Sequence, residues 1–165
     1  MLLSNPNTDD VYAAGGSVNV KAPVTGDVYA AGGDITINQP VSQDVVAAGG
    51  TLTLQSTVGD DARLAGGTII INSPVTDDLV IAGGNITINA NVGGDLVVVG
   101  GQVVVNGNVG GSVKISAGSV TLNGTYAGPL DIKAGELNLN GTYNSSGRFV
   151  ASKTLAVQSG TVFNA

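Results

Sequence analysis

The chain has 165 residues, 26 of them Gly, with no Cys, no His, no Trp and only 11% charged side chains. Without Cys or His, zinc fingers, disulfide scaffolds, cysteine or serine–histidine catalysis and histidine acid–base chemistry are excluded. Six basic against twelve acidic residues leave a formal net charge of −6, the wrong sign for a nucleic-acid partner. Aromatics are only 4% of the chain, so the 42% of hydrophobic residues must build a core from Val, Ile, Leu and Ala. The longest apolar runs are a few residues, so no membrane span and no signal peptide is visible.

Taken in chain order, the elements repeat. Leu3-Ser-Asn-Pro-Asn-Thr-Asp echoes Ile71-Asn-Ser-Pro-Val-Thr-Asp, so residues 1–9 read as the second half of a unit. Asp10-Val-Tyr-Ala-Ala-Gly-Gly then opens a unit that returns 17 residues later at Asp27 and again at Asp44. The frame continues at Asp61, Asp78 and Asp95, drifts at Ser112 and Pro129, and resumes after one inserted residue at Gly147. Residues 10–146 are therefore regular coils, 147–165 a degenerate terminal coil, and 1–165 a single domain.

With Asp10 as position 1, apolar residues recur at positions 2, 4, 9, 11 and 15. Spacings of two are strand spacings, because alternate side chains share a face. The Gly pair at positions 6 and 7, as in Gly15-Gly16 and Gly32-Gly33, predicts a strand break at positive φ. Pro23, Pro40 and Pro74 mark a second corner. Short strands, sharp corners and fixed unit length define the fold class: all-β, a single-domain parallel β-helix, or solenoid, of about nine coils. The handedness preference of parallel crossovers makes it right-handed.

Stacking turns each position into a column. Position 12 (Asn38, Gln55, Asn72, Asn89, Asn106, Asn123 and Asn140) reads as an amide ladder bonded from coil to coil. Position 1 is Asp in six successive coils, where each neighbouring pair repels by about 1 kcal/mol in water. Carboxylates accepting backbone N–H groups at the bend, with Arg63 beside Asp61, would compensate. A divalent cation near Asp60, Asp61, Asp77 and Asp78 is the sharper alternative, since hard cations prefer oxygen ligands. No metal or other cofactor is expected on balance. Glycoside hydrolysis would need a walled cleft, which coils of fixed length do not build. The threonine row at position 10 is interrupted by Ile70 and Val104, which argues against ice binding. No enzyme activity is expected.

Positions 3 and 5 should face outward, and they carry an apolar strip that includes Tyr12, Tyr29, Val46, Val80, Val97 and Val99. So long a strip suggests a contact surface for a partner, another rod or a membrane. Charge is polarised along the rod as well. Residues 1–95 hold ten acids and two bases, and residues 96–165 hold two acids and four bases. Solenoid ends expose unpaired strand edges and need caps or partners. No cap is evident before the first rung, and both phenylalanines fall in the last coil.

The segments Val24-Thr-Gly-Asp-Val-Tyr-Ala30 and Val92-Gly-Gly-Asp-Leu-Val-Val98, each followed by a hydrophobic-x-hydrophobic strand, resemble the coil of bactofilins, the polymer-forming cytoskeletal proteins of bacteria. The resemblance covers nearly the whole chain. It implies a right-handed β-helix that forms nucleotide-free filaments through its terminal coils, often beneath a membrane, and scaffolds other proteins. Family members usually carry flanking disordered tails, and this sequence shows none. The expected partner is the chain itself, end to end, with a membrane surface or envelope proteins as further partners and no nucleic acid. The expected polymerisation contacts are Leu2 and Leu3 at one end and Phe149, Val162 and Phe163 at the other. The expected location is the cytoplasm, at a membrane. The alternative is a cell-envelope or extracellular stalk or adhesin-type module that binds through its flat face.

Overall fold

The computed structural model describes residues 1–164. Among these residues all regular structure is β. After the two-residue β1 (Leu2–Leu3), seven ten-residue strands follow at the repeat spacing: β2 (Val11–Val20), β3 (Val28–Ile37), β4 (Val45–Leu54), β5 (Ala62–Ile71), β6 (Leu79–Ile88), β7 (Leu96–Val105) and β8 (Val113–Leu122). The last coils contain β9 (Thr125–Tyr126), β10 (Leu130–Leu139), β11 (Thr142–Tyr143), β12 (Gly147–Val157) and β13 (Val162–Phe163). Strand β1, strands β2 to β8, β10 and β12 form one parallel sheet in chain order. From β2 to β10 each paired residue meets its equivalent 17 residues on, as Val28 does with Val45 and Leu79 with Leu96, and only the position-7 glycines fall outside the ladder. This is a parallel β-solenoid of about nine turns.

Each coil is a long strand bent into two arms, plus a third contact at position 15. There Val24, Val41, Val58, Val75, Val92 and Val109 bridge in series. The five inward columns are those of the apolar pattern. In one coil they hold Leu79, Ile81, Ile86, Ile88 and Val92, all at most 2% exposed. Among the described residues the only fully buried side chains with a polar group are Tyr126 and Tyr143 near the C-terminal end, so backbone ladders and apolar columns account for the rest of the interior.

Two local expectations are corrected. The glycine pairs do not break the strand, and the single positive φ among the described residues is at Gly160. Positions 6 and 7 hold Gly because the coils stack too closely there for a side chain. A Cβ on Gly49 would sit 2.5 Å from the carbonyl oxygen of Gly32, one coil back. The gap widens along the rod, to 2.7 Å at Gly66 and Gly83 and 3.1 Å at Gly100. In the next coil position 6 becomes Ala117, which aligns with Gly100.

The second correction concerns the inserted residue. Gly147 pairs with Leu130 in perfect phase, so nothing is inserted before it. The register slips later, where Ala134 pairs with Ala151 but Glu136 with Thr154, and again before Val162, which pairs with Thr142. Gly160, at φ 99°, turns the chain in that second enlargement.

Candidate functional site

The Asp row resolves into backbone support. In each of six coils the carboxylate accepts the N–H at position 1 of the next coil: Asp10 from Asp27, Asp27 from Asp44, Asp44 from Asp61, Asp61 from Asp78, Asp78 from Asp95, and Asp95 from Ser112, at 2.7–3.1 Å. The repulsion between neighbours is offset by these charge-assisted bonds. Arg63 adds to this by spanning Asp44 at 3.3 Å and Asp61 at 2.7 Å. Tyr29 donates its hydroxyl to Asp27 Oδ2 at 3.1 Å, and that bond, together with the Asp27 charge, raises the tyrosine pKa.

Of the four acids considered for a cation, the structure brings Asp60, Asp61 and Asp77 within 4.8 Å of one another. Asp61 is already committed to Arg63 and to the Asp78 N–H, while Asp78 lies outside the cluster and bonds the Asp95 N–H. The Asp77 carboxyl is held above its ordinary range, chiefly by the Asp78 charge, then by desolvation and by Asp61, Asp60 and Asp95. A raised native pKa means that ionising Asp77 destabilises the fold as pH climbs through it. Asp77→Asn is therefore expected to melt above the wild type at pH 7.5, by a margin that shrinks with added salt. In thermal melts taken down through the carboxylate range that margin should close. A constant difference at all pH values would contradict the assignment.

The amide ladder forms over the middle of its expected length, from Gln55 to Asn123, whereas Asn38 donates instead to Asn19 on the position-10 column. Asn72, Asn89, Asn106 and Asn123 bond in series, each donating to the residue one coil back: Asn89 to Asn72 at 2.9 Å, Asn106 to Asn89 at 2.8 Å and Asn123 to Asn106 at 2.7 Å.

The outward strip is also formed. Tyr12 is 71% exposed, Val80 40% and Val99 57%; Tyr29, Val46 and Val97 are half-buried beside them. The Tyr12 and Tyr29 rings stack at 4.9 Å. From Val46 to Val97 the strip edges a shallow apolar groove of about 470 Å³, floored by Ala48, Ala65 and Ala82.

The two ends differ. At the N-terminal end Leu2 pairs with Asn19 and stands on the outward position-10 column, exposed. The side chain of Leu3 lies outside the described residues. The inward residues of the first full coil, Val11, Ala13, Val18, Val20 and Val24, are nevertheless buried. At the C-terminal end the inward columns finish in Phe149, Leu155, Val157 and Phe163. Leu155, Val157 and Phe163 are each about half exposed, and Phe149 is partly buried against the core. Val162 is exposed beside them at position 14.

An aromatic column absent from the sequence reading supports this end. Position 15 changes from Val109 to Tyr126, then Tyr143, then Phe163, with rings stacked at 5.2 and 5.0 Å. Phe149 meets Tyr143 and Phe163 edge-on at 5.7 and 6.3 Å. Burial pushes the pKa of both Tyr126 and Tyr143 well above the usual phenol value, and the Tyr143 hydroxyl has no hydrogen-bond partner. Phe149 also explains Gly147. A Cβ at Gly147 would meet the Phe149 ring at 2.5 Å, so the ring occupies the space that Val or Leu fills at position 2 elsewhere. The signal was legible, because Tyr126 and Tyr143 keep the 17-residue spacing.

The class of protein is thus a β-solenoid repeat protein. The chain matches no protein-family model, and no curated protein or solved structure matches it.

Proposed function

We propose that this chain is a structural, non-enzymatic protein of bactofilin type that assembles end to end through its terminal coils into nucleotide-independent filaments or scaffolds. The observation that carries the reading is the C-terminal face. Leu155, Val157 and Phe163 occupy columns that are buried in every other full coil, yet here they are 51%, 53% and 50% exposed. An apolar face flanked by the outer edge of β12 is suited to meeting another apolar coil face. The partner is then a second copy of the chain. The net charge of −6 argues against nucleic acid. The setting we assign is the cytoplasm at a membrane surface. A second reading, an envelope or extracellular binding module, is favoured by the exposed strip around Tyr12, Val80 and Val99.

Negative-stain microscopy and sedimentation in nucleotide-free buffer test the assembly. Wild type is expected to form filaments, whereas Phe163→Arg should leave short rods with an unchanged circular-dichroism spectrum. The Arg substitution at a half-exposed site leaves the interior columns intact. Wild-type rods that stay single at about 100 µM would overturn the proposal.

A further inference from the structure

The outward face of the first arm alternates in size across its two columns. Position 3 carries the larger side chains, Tyr12, Tyr29, Val46, Val80 and Val97, and position 5 the small ones, with Ala14, Ala31, Ala48, Ala65 and Ala82 in the first five coils. The result is a ridge beside a groove, running parallel to the rod. Arg63 does not obstruct it, because its guanidinium is held against the Asp row by Asp44 and Asp61.

A ridge next to a groove is self-complementary under a two-fold axis parallel to the rod and midway between the two columns. Such an axis keeps the coils at the same height and sets position 3 of one copy against position 5 of the other. Val80 then faces Ala82, Val46 faces Ala48 and Tyr29 faces Ala31, large against small, while in the sixth coil Val97 faces Val99. The same operation brings Asp131 opposite Lys133. Neither has an ion-pair partner in its own chain, where the only ion pairs among the described residues are those of Arg63. The Asp131 Oδ1 atom is also shielded without a hydrogen-bond partner. We infer that this face pairs with the same face of a second copy, the two rods side by side and parallel.

Area and charge support a second copy over a lipid surface. The face is roughly 43 Å by 13 Å at strand spacings of about 4.8 Å and a rise of about 3.3 Å per residue, which covers on the order of 1,100 Å² over both copies. That clears the floor of about 1,000 Å² for a biological interface, at the weak end of the range. The two Asp rows lie beyond the outer edges of the paired face, about 20 Å apart and well over a Debye length, so they do not oppose pairing. Against an anionic bilayer the same row beside the strip is repulsive.

The inference does not rest on end-to-end assembly, and its test removes that variable. In a chain carrying Leu155→Arg and Phe163→Arg, sedimentation equilibrium is expected to show a monomer–dimer equilibrium below about 200 µM. Adding Ala48→Arg and Ala82→Arg, both exposed, should raise the dimer Kd by about 100-fold with an unchanged melting profile. Lys133→Asp should weaken the dimer by about tenfold, and Asp131→Lys in the same chain should restore it. The native chain has no Cys, so a spin label on Ser17→Cys reports orientation. Parallel rods place the two labels within about 30 Å, whereas antiparallel overlap separates them by roughly the rod length, about 40 Å or more. A monomer throughout overturns the inference, as does a dimer indifferent to the Ala48 and Ala82 changes. A monomer that floats with phosphatidylcholine vesicles would overturn it in favour of a lipid surface, and the long label distance would overturn the parallel pairing.

Discussion

Gly49→Ala is expected to destabilise the protein by about 3 kcal/mol, while Gly100→Ala, the same change at the same coil position, should lie between neutral and about 1 kcal/mol stabilising. At Gly49 the new Cβ would come within 2.5 Å of the Gly32 carbonyl oxygen and 3.3 Å of Ile35 Cδ1. Backbone cannot rotate away, so two coils must separate locally and their ladder bonds must stretch. At Gly100 the nearest atoms are Ile86 Cδ1 at 3.0 Å and the Gly83 oxygen at 3.1 Å, and a side-chain terminus can move by a few tenths of an ångström. Neither glycine has positive φ, so the substitution carries no backbone strain and restricts the unfolded chain. At about 2–4 °C per kcal/mol for a chain this size, the two variants should melt about 6–16 °C apart. Equal melting temperatures would mean that the corner spacing does not select glycine.

The comparison also marks what was legible in the sequence. Coil length, inward columns, the Asp row and the amide ladder could be read because each repeats the same local environment. Val24 through Val109, or Asp10 through Asp95, state one requirement six times. The glycine pairs repeat equally well, but their cause lies one coil away. A rule about a residue's own φ gave the wrong reason at Gly32 and Gly49, where the obstacle is another coil's carbonyl. The last coil hides its register for a related reason. Gly147 breaks the position-2 pattern because the Phe149 ring fills its space, and an apparent frameshift was really an exchange of volume between two columns. The actual insertions lie between Ala151 and Val162, where the sequence no longer repeats. Of the candidate site, the strip followed from alternation alone. The half-exposed state of Leu155 and Val157 did not, because both fit the inward pattern as well as any buried residue.

That distinction separates stability from assembly along one column. Ile86 and Leu155 both stand at position 9, where Ile86 is 1% exposed and Leu155 51%. Ile86→Ala removes packed methyl groups between two coils that cannot collapse around the gap, because ladders on all three walls hold their spacing. It is expected to cost about 4 kcal/mol, read as a shift in the urea midpoint at constant slope. Since a solenoid's stability is a sum over neighbouring coils, weakening a central pair can also loosen the two halves independently and broaden the transition. Leu155→Ala leaves only a shallower terminal face and should cost under about 1 kcal/mol. If Leu155, Val157 and Phe163 are the contact by which coils of two copies meet, the order reverses for assembly. Leu155→Ala should then raise the critical concentration for sedimentable polymer by about tenfold, the equivalent of about 1.4 kcal/mol lost per junction. Ile86→Ala should leave that concentration unchanged below its unfolding temperature. A Leu155→Ala chain that polymerises like the wild type would place the junction elsewhere, because nothing else in the coil depends on a side chain already half in water.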